Sequence, residues 1–206
     1  RIKGMASTGV ILLAAGESRR IGARKLKALL PWYGNTLLEH QVNLLEKSSL
    51  SPIVVVLGHR HEELDPLLIP KSNIRRVYNH LYKEGKTTSI KAGLSAIQPG
   101  ETESILMLNV DQPRSPGTIS KILEFHSNLN SYITVPCHEG RNGHPIVFSS
   151  EIIDDVLNIS EADHGLKSVI HKHHSQISWL ELDSAEILVD INTTKDYEDA
   201  LNNYGF

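Results

Sequence analysis

The sequence has little of what disulfide-held, membrane-spanning or nucleic-acid-binding proteins depend on. Its single cysteine, Cys137, cannot form an internal disulfide, and without a second thiol there is no CxxC motif or cysteine zinc cluster. No apolar run approaches the length of a membrane span, and the first residues lack the basic-then-apolar layout of a secretion signal. The net charge of −3 disfavours general nucleic-acid binding, which needs a basic excess. We therefore expect a cytoplasmic protein that binds neither membranes nor nucleic acid.

The length of 206 residues suits one full-sized hydrophobic core. No internal repeat, low-complexity tract or linker divides the chain. Residues 1–4 precede Met5 and look like a cloning remnant that is not part of the fold. We expect a single domain over residues 5–206.

Apolar runs alternate with helical patterns through the first two thirds of the chain. The runs that predict strands are residues 10–15, 52–57, 74–78, 104–110, 132–136, 145–148, 177–182 and 187–189. A capping box, Thr36 with Glu39, predicts the start of one helix. Further helices are predicted at residues 87–97, 116–126, 150–157, 165–173 and 194–202.

This alternation predicts a doubly wound, mainly parallel, Rossmann-like α/β sheet. The later strands lack regular crossover helices, so they are expected to add an antiparallel strand or pair. Ligands of such sheets bind beyond the carboxyl ends of the strands. Gly16 and Asp111, each just past a predicted strand, should therefore face one crevice.

Glycines and cations gather after the first predicted strand, in residues 13–22 (LAAGESRRIG) with Lys25 and Lys27 close behind. Backbone amides and basic side chains in such a loop can share the charge of a triphosphate. The glycine spacing fits neither a Walker loop nor a dinucleotide fingerprint. An ordinary solvated loop is the competing interpretation.

Asp111 is the strongest candidate for a metal ligand. A carboxylate at the tip of an apolar strand is costly to bury unpaired, and a magnesium ion would compensate it. Its segment is residues 109–113 (NVDQP). The alternative is an aspartate that caps a turn.

Further polar segments follow in order. They are residues 84–89 (EGKTTS), 141–145 (RNGHP), 163–167 (DHGLK) and 190–196 (DINTTKD). Caps of helices, a surface histidine and a solvated helix start remain competing interpretations. His171, His173 and His174 lie too close together to share one helix face, and we interpret them as surface residues.

Together these segments resemble the motifs of the molybdenum-cofactor nucleotidyltransferases, in the order found there, from Val10 to Leu201. The first resembles LAAGxSxRMGxxK followed by LLP, the pattern of the cytidylyltransferase branch, and Leu29, Leu30 and Pro31 supply its ending. The others resemble EGMxxS, GDQP, RGHP, GDxGxR and DIDTPED. Departures include Asn109 for glycine, Asn142 inside RGHP, Ala162 and Lys167 for the glycine and arginine of GDxGxR, and Asn192 and Thr194 in the last motif.

The resemblance implies the fold of nucleotide-diphospho-sugar transferases and a set of binding residues. Arg19, Lys25 and Asp111 would be catalytic, and Asp111 with Asp190 would hold Mg²⁺. The residues expected to bind the nucleotide are Leu13, Ala14, Ala15, Gly16, Lys25, Lys27, Gly85 and Ser89. Relative to the family pattern, two residues are inserted after the glycine loop (residues 13–22), so either lysine could bind the triphosphate. Lys25 is favoured because that loop would fix its geometry.

The resemblance also implies an acceptor site formed by Gly143, His144, Asp163 and Lys167. The implied reaction transfers CMP from CTP to the terminal phosphate of molybdopterin, and a molybdenum enzyme could then receive the product. A guanylyltransferase of the same cofactor is the nearest alternative, although that branch has glycine where this chain has Ala15. The motifs are also compatible with a sugar-phosphate or methylerythritol-phosphate nucleotidyltransferase, and a non-catalytic cofactor chaperone is a candidate from a different class.

Overall fold

The computed structural model describes residues 7–22, 25–48 and 50–204. Residues 1–4, expected to be a cloning remnant, lie outside the described residues. No helix in the described ranges is both long and apolar enough to cross a membrane.

Short strands alternate with helices along the chain. The strands are β1 (Thr8–Ala14), β2 (Pro31–Trp32), β3 (Asn35–Thr36), β4 (Ile53–Leu57), β5 (Ile74–Tyr78), β6 (Ser104–Asn109), β7 (Ile133–His138), β8 (Arg141–Asn142), β9 (Ile146–Ser149) and β10 (Ile177–Glu181). The α-helices are α1 (Leu37–Lys47), α2 (His61–Leu64), α3 (Lys86–Leu94), α4 (Pro116–Leu129), α5 (Ile153–Leu157), α6 (Leu166–Lys172) and α7 (Thr194–Tyr204).

The main sheet has the order β10-β7-β9-β6-β1-β4-β5, and β8 pairs with β7 at its side. β1 lies parallel to both β4 and β6, and β5 is parallel to β4. β9 runs antiparallel between β6 and β7. The mainly parallel α/β sheet with an added antiparallel strand is therefore confirmed.

Alternate residues of β1 pack on opposite faces of the sheet, as its wholly apolar sequence predicts. Val10, Leu12 and Ala14 belong to the core cluster that includes residues of α1 and α4. Ile11 and Leu13 belong to the cluster on the other face, beneath α3, α5 and α6. The first strand is thus central to the fold, and the loop that follows it is held from both sides.

Two helix starts form as predicted. At α1 the Thr36 side chain accepts from the Glu39 amide while Glu39 accepts from the Thr36 amide, which completes the capping box. At α4 the Ser115 side chain accepts from the Thr118 amide, and Pro116 occupies the first turn, where its missing N–H costs nothing.

The prediction of an extended segment at residues 187–189 was wrong. Ala185–Leu188 forms a 3-10 helix, and the carbonyls of Ile187 and Val189 accept from the buried Arg114 guanidinium instead of a neighbouring strand. The short hairpin of β2 and β3, the two-residue β8 and the four-residue α2 were missed because each is too short to show a period.

Candidate active site

A cavity of about 360 Å³ opens beyond the carboxyl ends of β1 and β6. Its lining contains Leu13, Ala14, Ala15, Gly16, Ser18, Arg20, Leu26, Lys27, Ala28, Leu64, Tyr82, Gly85, Lys86, Ser89, Asn109, Val110, Asp111, Asp190 and Asn192. We call it the first cavity. Gly16 and Asp111 share it, as the position of both residues after parallel strands predicts.

The loop after β1 directs Lys27 into the first cavity. Ser18 adopts a left-handed conformation with φ 56°, and its Oγ accepts from the Lys27 amide at 2.9 Å. The Lys27 ammonium donates to Asp111 Oδ2 at 2.6 Å and to Asn192 Oδ1 at 2.9 Å. Arg20 Nη2 donates to the same Asn192 oxygen at 2.6 Å. Two cations and a carboxylate are thereby gathered at one end of the cavity.

Lys25 and Arg19 lie elsewhere. Lys25 is exposed and lines a separate cavity beside Tyr197 and Glu198. Arg19 pairs with Glu17, and 79% of its side-chain surface is exposed. The structure therefore brings Lys27, and not Lys25, to the first cavity.

Backbone contacts hold the two candidate metal ligands next to each other. The Ile191 amide donates to the Asp111 carbonyl at 2.9 Å, which draws Asp190 toward the end of β6. Buried Gln41 on α1 donates to the carbonyl of Gln112 at 3.0 Å and fixes the same loop from below.

The charges around Asp190 suit a divalent cation. Burial raises the pKa of its carboxyl, and the nearby negative charge of Asp111 raises this pKa further. Within the described ranges no group of three or more His, Cys, Asp or Glu side chains could hold a metal. A hard cation bound here would thus take two carboxylates from the protein and its remaining oxygen ligands from phosphates and water, an arrangement typical of Mg²⁺.

Gly85 and Ser89 contribute the start of α3 to the first cavity. Gly85 has φ 121°, and a Cβ there would lie 2.4 Å from the Glu161 carboxylate. That carboxylate accepts from the Thr87 amide at 2.7 Å. Ser89 is buried, and its Oγ accepts from Asn79 Nδ2 at 2.9 Å. The turn is therefore closely packed, and glycine is required at position 85.

Ala15 lies at the base of the first cavity and is 4% exposed. Gly58, at the end of β4, approaches it so closely that a Cβ on Gly58 would lie 2.8 Å from the Ala15 Cβ. Leu13, Ala14 and Gly16 flank it in the lining. This side of the cavity thus presents small side chains and backbone.

A second cavity of about 530 Å³ lies on the other side of α3. Its lining contains Lys86, Thr87, Ile90, Val135, Asn142, Gly143, His144, Ile146, Glu161, His164, Gly165, Leu166, Lys167, Ile170, His171 and His174. Gly143, His144 and Lys167 therefore meet, as the acceptor-site prediction requires. Asp163 is absent from this lining; its side chain is exposed, and its carboxylate accepts from Ser160 Oγ at 2.5 Å.

The interpretation of the three clustered histidines as surface residues was only partly right. His171 and His174 are exposed but face the second cavity. The side chain of His173 is only 13% exposed, and its Nε2 lies 2.6 Å from the Asp155 carboxylate. That contact turns His173 inward against α5.

Arg114 connects the two candidate sites and is fully buried. Its guanidinium donates to the carbonyls of Pro113, His144, Ile187 and Val189 at 2.7 to 3.0 Å. Burial lowers the pKa of Arg114 to about 10, which still leaves it charged at neutral pH. It thus fixes the loop of His144 and the segment that leads to Asp190.

His144 is neutral at physiological pH. Burial lowers its pKa to about 4, and the charges of Lys86 and Arg114 act in the same direction. It can therefore offer a hydrogen bond to a ligand in the second cavity without adding charge.

Sequence reasoning missed four residues that shape the two cavities: Arg20, Lys86, Arg114 and Asn192. Arg20 and Asn192 lie inside motifs already singled out, but their meeting across 172 positions cannot be seen in a linear pattern. Arg114 directly follows the NVDQP segment, and a charged residue beside a predicted site is the signal that could have found it.

The sequence profile described as the MobA-like NTP transferase domain matches residues 10–177. The chain is 31% identical over 201 residues to the molybdenum cofactor cytidylyltransferase of Escherichia coli strain K12, a match covering 97% of this chain and 98% of that protein.

Two solved structures share the fold. Rv0371c from Mycobacterium tuberculosis H37Rv superimposes with a TM-score of 0.81 at 22% identity, over 97% of this chain and 100% of that one. Its complex with manganese gives a TM-score of 0.73 at 23% identity, over 96% and 99% of the two chains. The match over residues 10–177 shows that this chain is a nucleotidyltransferase and belongs to the family of MobA-like NTP transferases.

Proposed function

We propose that this enzyme transfers CMP from CTP to the terminal phosphate of molybdopterin and releases pyrophosphate, in a reaction that depends on Mg²⁺. The observation that carries the proposal is the meeting of Lys27, Asp111 and Asp190 in the first cavity, with a second cavity beside it. The 31% identity to a molybdenum cofactor cytidylyltransferase supports the choice of nucleotide and acceptor.

In this reaction an oxygen of the acceptor phosphate attacks the α-phosphorus of CTP in line with the departing pyrophosphate. The protein needs to position the two substrates and balance their charge, and no covalent intermediate is required. The two adjoining cavities suit this task, because each can hold one substrate with its phosphate toward the other.

Lys27 and Arg20 are the cations that we assign to the triphosphate. Both line the first cavity, whereas Lys25 is exposed outside it and Arg19 pairs with Glu17. When CTP binds, its phosphates would replace the Asp111 and Asn192 oxygens as hydrogen-bond partners of the Lys27 ammonium. Ionic hydrogen bonds of this kind are among the strongest that proteins make.

Asp111 and Asp190 are the residues that would hold Mg²⁺. Burial and the nearby charge of Asp111 both raise the pKa of Asp190, and a cation held by the two carboxylates would relieve their mutual repulsion. When bound, the ion would neutralise charge on the α-phosphate and the attacking oxygen. The backbone bond from Ile191 to Asp111 keeps the carboxylates together before substrate arrives.

The base of CTP is assigned to the part of the first cavity formed by Leu13, Ala14, Ala15, Gly16, Gly85 and Ser89. Ala15 lines this part of the cavity and carries a methyl group where the guanylyl branch has none, and we assign to that methyl the narrowing of the space for a purine. A pyrimidine needs less room, and the nearby backbone groups can pair with its edge.

The second cavity is assigned to the acceptor. Ile90, Val135 and Ile146 offer apolar contacts to a ring system, while Lys167 and His144 offer a charge and a hydrogen bond. Such a mixture suits a heterocycle that carries a phosphate.

The proposal extends to the whole protein. It includes one domain over residues 5–206 and action in the cytoplasm without nucleic acid or membrane. It also includes delivery of the product to a molybdenum enzyme.

The test uses two preparations of CTP, one with ³²P at the α position and one with ³²P at the γ position. The purified protein is incubated with Mg²⁺ and molybdopterin cofactor, and the labelled products are separated. Label from the α position should appear in the cofactor, and label from the γ position should appear in pyrophosphate. Absence of α label from the cofactor would contradict the proposed reaction.

A further inference from the structure

Lys86 is the first residue of α3 and lies at the boundary between the two cavities. Among the residues that the structure describes, it alone lines both of them. Gly85, just before it, has φ 121° and turns the chain sharply into the helix. The side chain remains exposed, because it faces open space in both cavities.

The ammonium group of Lys86 has no partner. In the described part of the chain it makes no hydrogen bond and no ion pair, whereas the cations of the first cavity and the buried Arg114 are engaged. Lys27 is bound to Asp111, Arg20 to Asn192, and Arg114 to backbone carbonyls. Lys86 is thus a cation available to an anionic ligand.

Charges on both sides act on this lysine. The surrounding protein reduces its hydration and lowers its pKa, while Asp111, Asp190 and Glu161 raise it. On the side of the second cavity the charge of Lys86 acts on His144. The ammonium therefore lies within electrostatic reach of the carboxylates of the first cavity and of the histidine of the second.

We propose that Lys86 binds the attacking phosphate of the acceptor and holds it at the boundary between the cavities, which makes it a further catalytic residue. This inference rests on the proposed function. One acceptor oxygen forms the new bond to the α-phosphorus, and the bond from that phosphorus to the bridging oxygen of pyrophosphate breaks. The leaving pyrophosphate keeps the electron pair, and Lys86 keeps its protons throughout.

The acceptor is the better partner than the triphosphate for two reasons. The triphosphate already has Lys27 and Arg20 in the first cavity. An oxygen that attacks the α-phosphorus must come from the second cavity and pass Lys86, which is shared by both linings. Without a cation there, the metal held by Asp111 and Asp190 alone would have to offset the repulsion between the two anionic phosphates.

The first test compares Lys86→Met and Lys86→Arg with the parent in transfer assays at varied acceptor and varied CTP. Methionine is also unbranched and is only one atom shorter than lysine, but it carries no charge. We expect Lys86→Met to raise the acceptor KM or lower kcat by about ten- to a hundredfold, the range for an ionic hydrogen bond, and arginine to restore much of the loss. The CTP KM should change little.

The matched control is Lys91→Met, which alters a partly buried lysine of the same helix that lines neither cavity. Its kinetics should equal those of the parent. Unchanged acceptor kinetics in Lys86→Met would overturn the proposal. A rise confined to the CTP KM would overturn it too, because Lys86 would then serve the triphosphate.

A second measurement does not depend on turnover. The parent is saturated with Mg²⁺ and a CTP analogue whose α–β bridge is methylene, then acylated with acetic anhydride with or without inorganic phosphate. Mass spectrometry should show that phosphate slows acylation of Lys86 severalfold and leaves Lys91 unaffected. Equal rates at Lys86 would overturn the proposal. Protection without transfer to molybdopterin would instead count against the proposed acceptor and leave the role of Lys86 standing.

Discussion

The Lys27 ammonium lies 2.6 Å from Oδ2 of Asp111, so the cation expected to bind triphosphate and the carboxylate expected to bind metal form an ion pair. Both side chains are largely buried, with 10% and 19% of their surfaces exposed. The pair keeps each charge compensated while the cavity lacks a substrate. A triphosphate with its metal can then take over both partners.

The two lysines of the glycine loop should differ strongly in their effect on catalysis. We expect Lys27→Met to lower kcat/KM for CTP by about a hundredfold or more, because an ionic contact to the triphosphate is lost. Lys25→Met should change it by less than about threefold, since an exposed charge outside the cavity contributes little. Steady-state kinetics of both variants decide the matter, and the reverse order would return the role to Lys25.

Replacing the carboxylate at the end of β6 should stop the reaction and leave the fold intact. Asp111→Asn is expected to lower kcat by roughly 10²- to 10³-fold, as for loss of a group that stabilises transition-state charge. Circular dichroism should remain that of the folded parent, because the Lys27 ammonium keeps Asn192 as a hydrogen-bond partner. The control is Asp199→Asn. Asp199 is exposed and forms an ion pair with Lys195, and this variant should keep full activity. Normal turnover in folded Asp111→Asn would refute its assignment.

The glycine loop shows how far sequence reasoning could go. The position of Gly16 after a buried strand and of Asp111 after another was enough to predict that both face one crevice, because parallel strands end at one edge of a sheet. The sequence could not decide which of Lys25 and Lys27 enters the first cavity. That choice depends on the left-handed turn at Ser18, whose hydroxyl captures the Lys27 amide.

Arg114 illustrates a second limit. A buried arginine cannot be told from a surface arginine by local pattern, and three of its four carbonyl partners, those of His144, Ile187 and Val189, come from distant parts of the chain. The same contacts explain why residues 187–189 looked like a strand but are not one. Their apolar sequence indicates burial, while their carbonyl hydrogen bonds are supplied by a side chain.

Removing this arginine should destabilise the protein. We expect Arg114→Met to lower the free energy of unfolding by roughly 3 kcal/mol, because several buried carbonyls lose their donor. Urea denaturation measures this loss. Arg141→Met alters an exposed arginine of β8 and should stay within about 0.5 kcal/mol of the parent. Equal stabilities of the two variants would show that the hydrogen bonds of Arg114 do not stabilise the fold.

His126 should make the protein sensitive to mild acid. Burial lowers its pKa to about 4 from the ordinary 6.5, and the ring contacts Thr134 Oγ1 at 2.9 Å. Because the folded pKa is lowered, the stabilising contribution is complete above about pH 6.5 and is lost as pH falls toward 4. The unfolded chain binds a proton in that window and the folded chain does not.

When the pH is lowered from 7 to 5, protonation of this histidine in the unfolded chain should therefore lower the parent's free energy of unfolding by roughly 2 kcal/mol. His126→Gln, which cannot be protonated, should show a smaller decrease by about that amount. Urea denaturation at both pH values provides the comparison, and other histidines cancel because they are common to both proteins. If the free energy of unfolding of the parent and of His126→Gln changed equally with pH, His126 would not be the source of the acid sensitivity.

The most direct test of the account is a competition between CTP and GTP, each with ³²P at the α position, for the same molybdopterin acceptor in the presence of Mg²⁺. The account predicts that the parent forms the cytosine dinucleotide product at a kcat/KM at least about tenfold above that for the guanine product. Ala15→Gly should lower the ratio of kcat/KM for CTP to kcat/KM for GTP, because the methyl packed against Gly58 is removed and a purine gains room. Equal use of CTP and GTP by the parent would contradict the cytidylyl assignment, and transfer of neither would contradict nucleotidyl transfer to this acceptor.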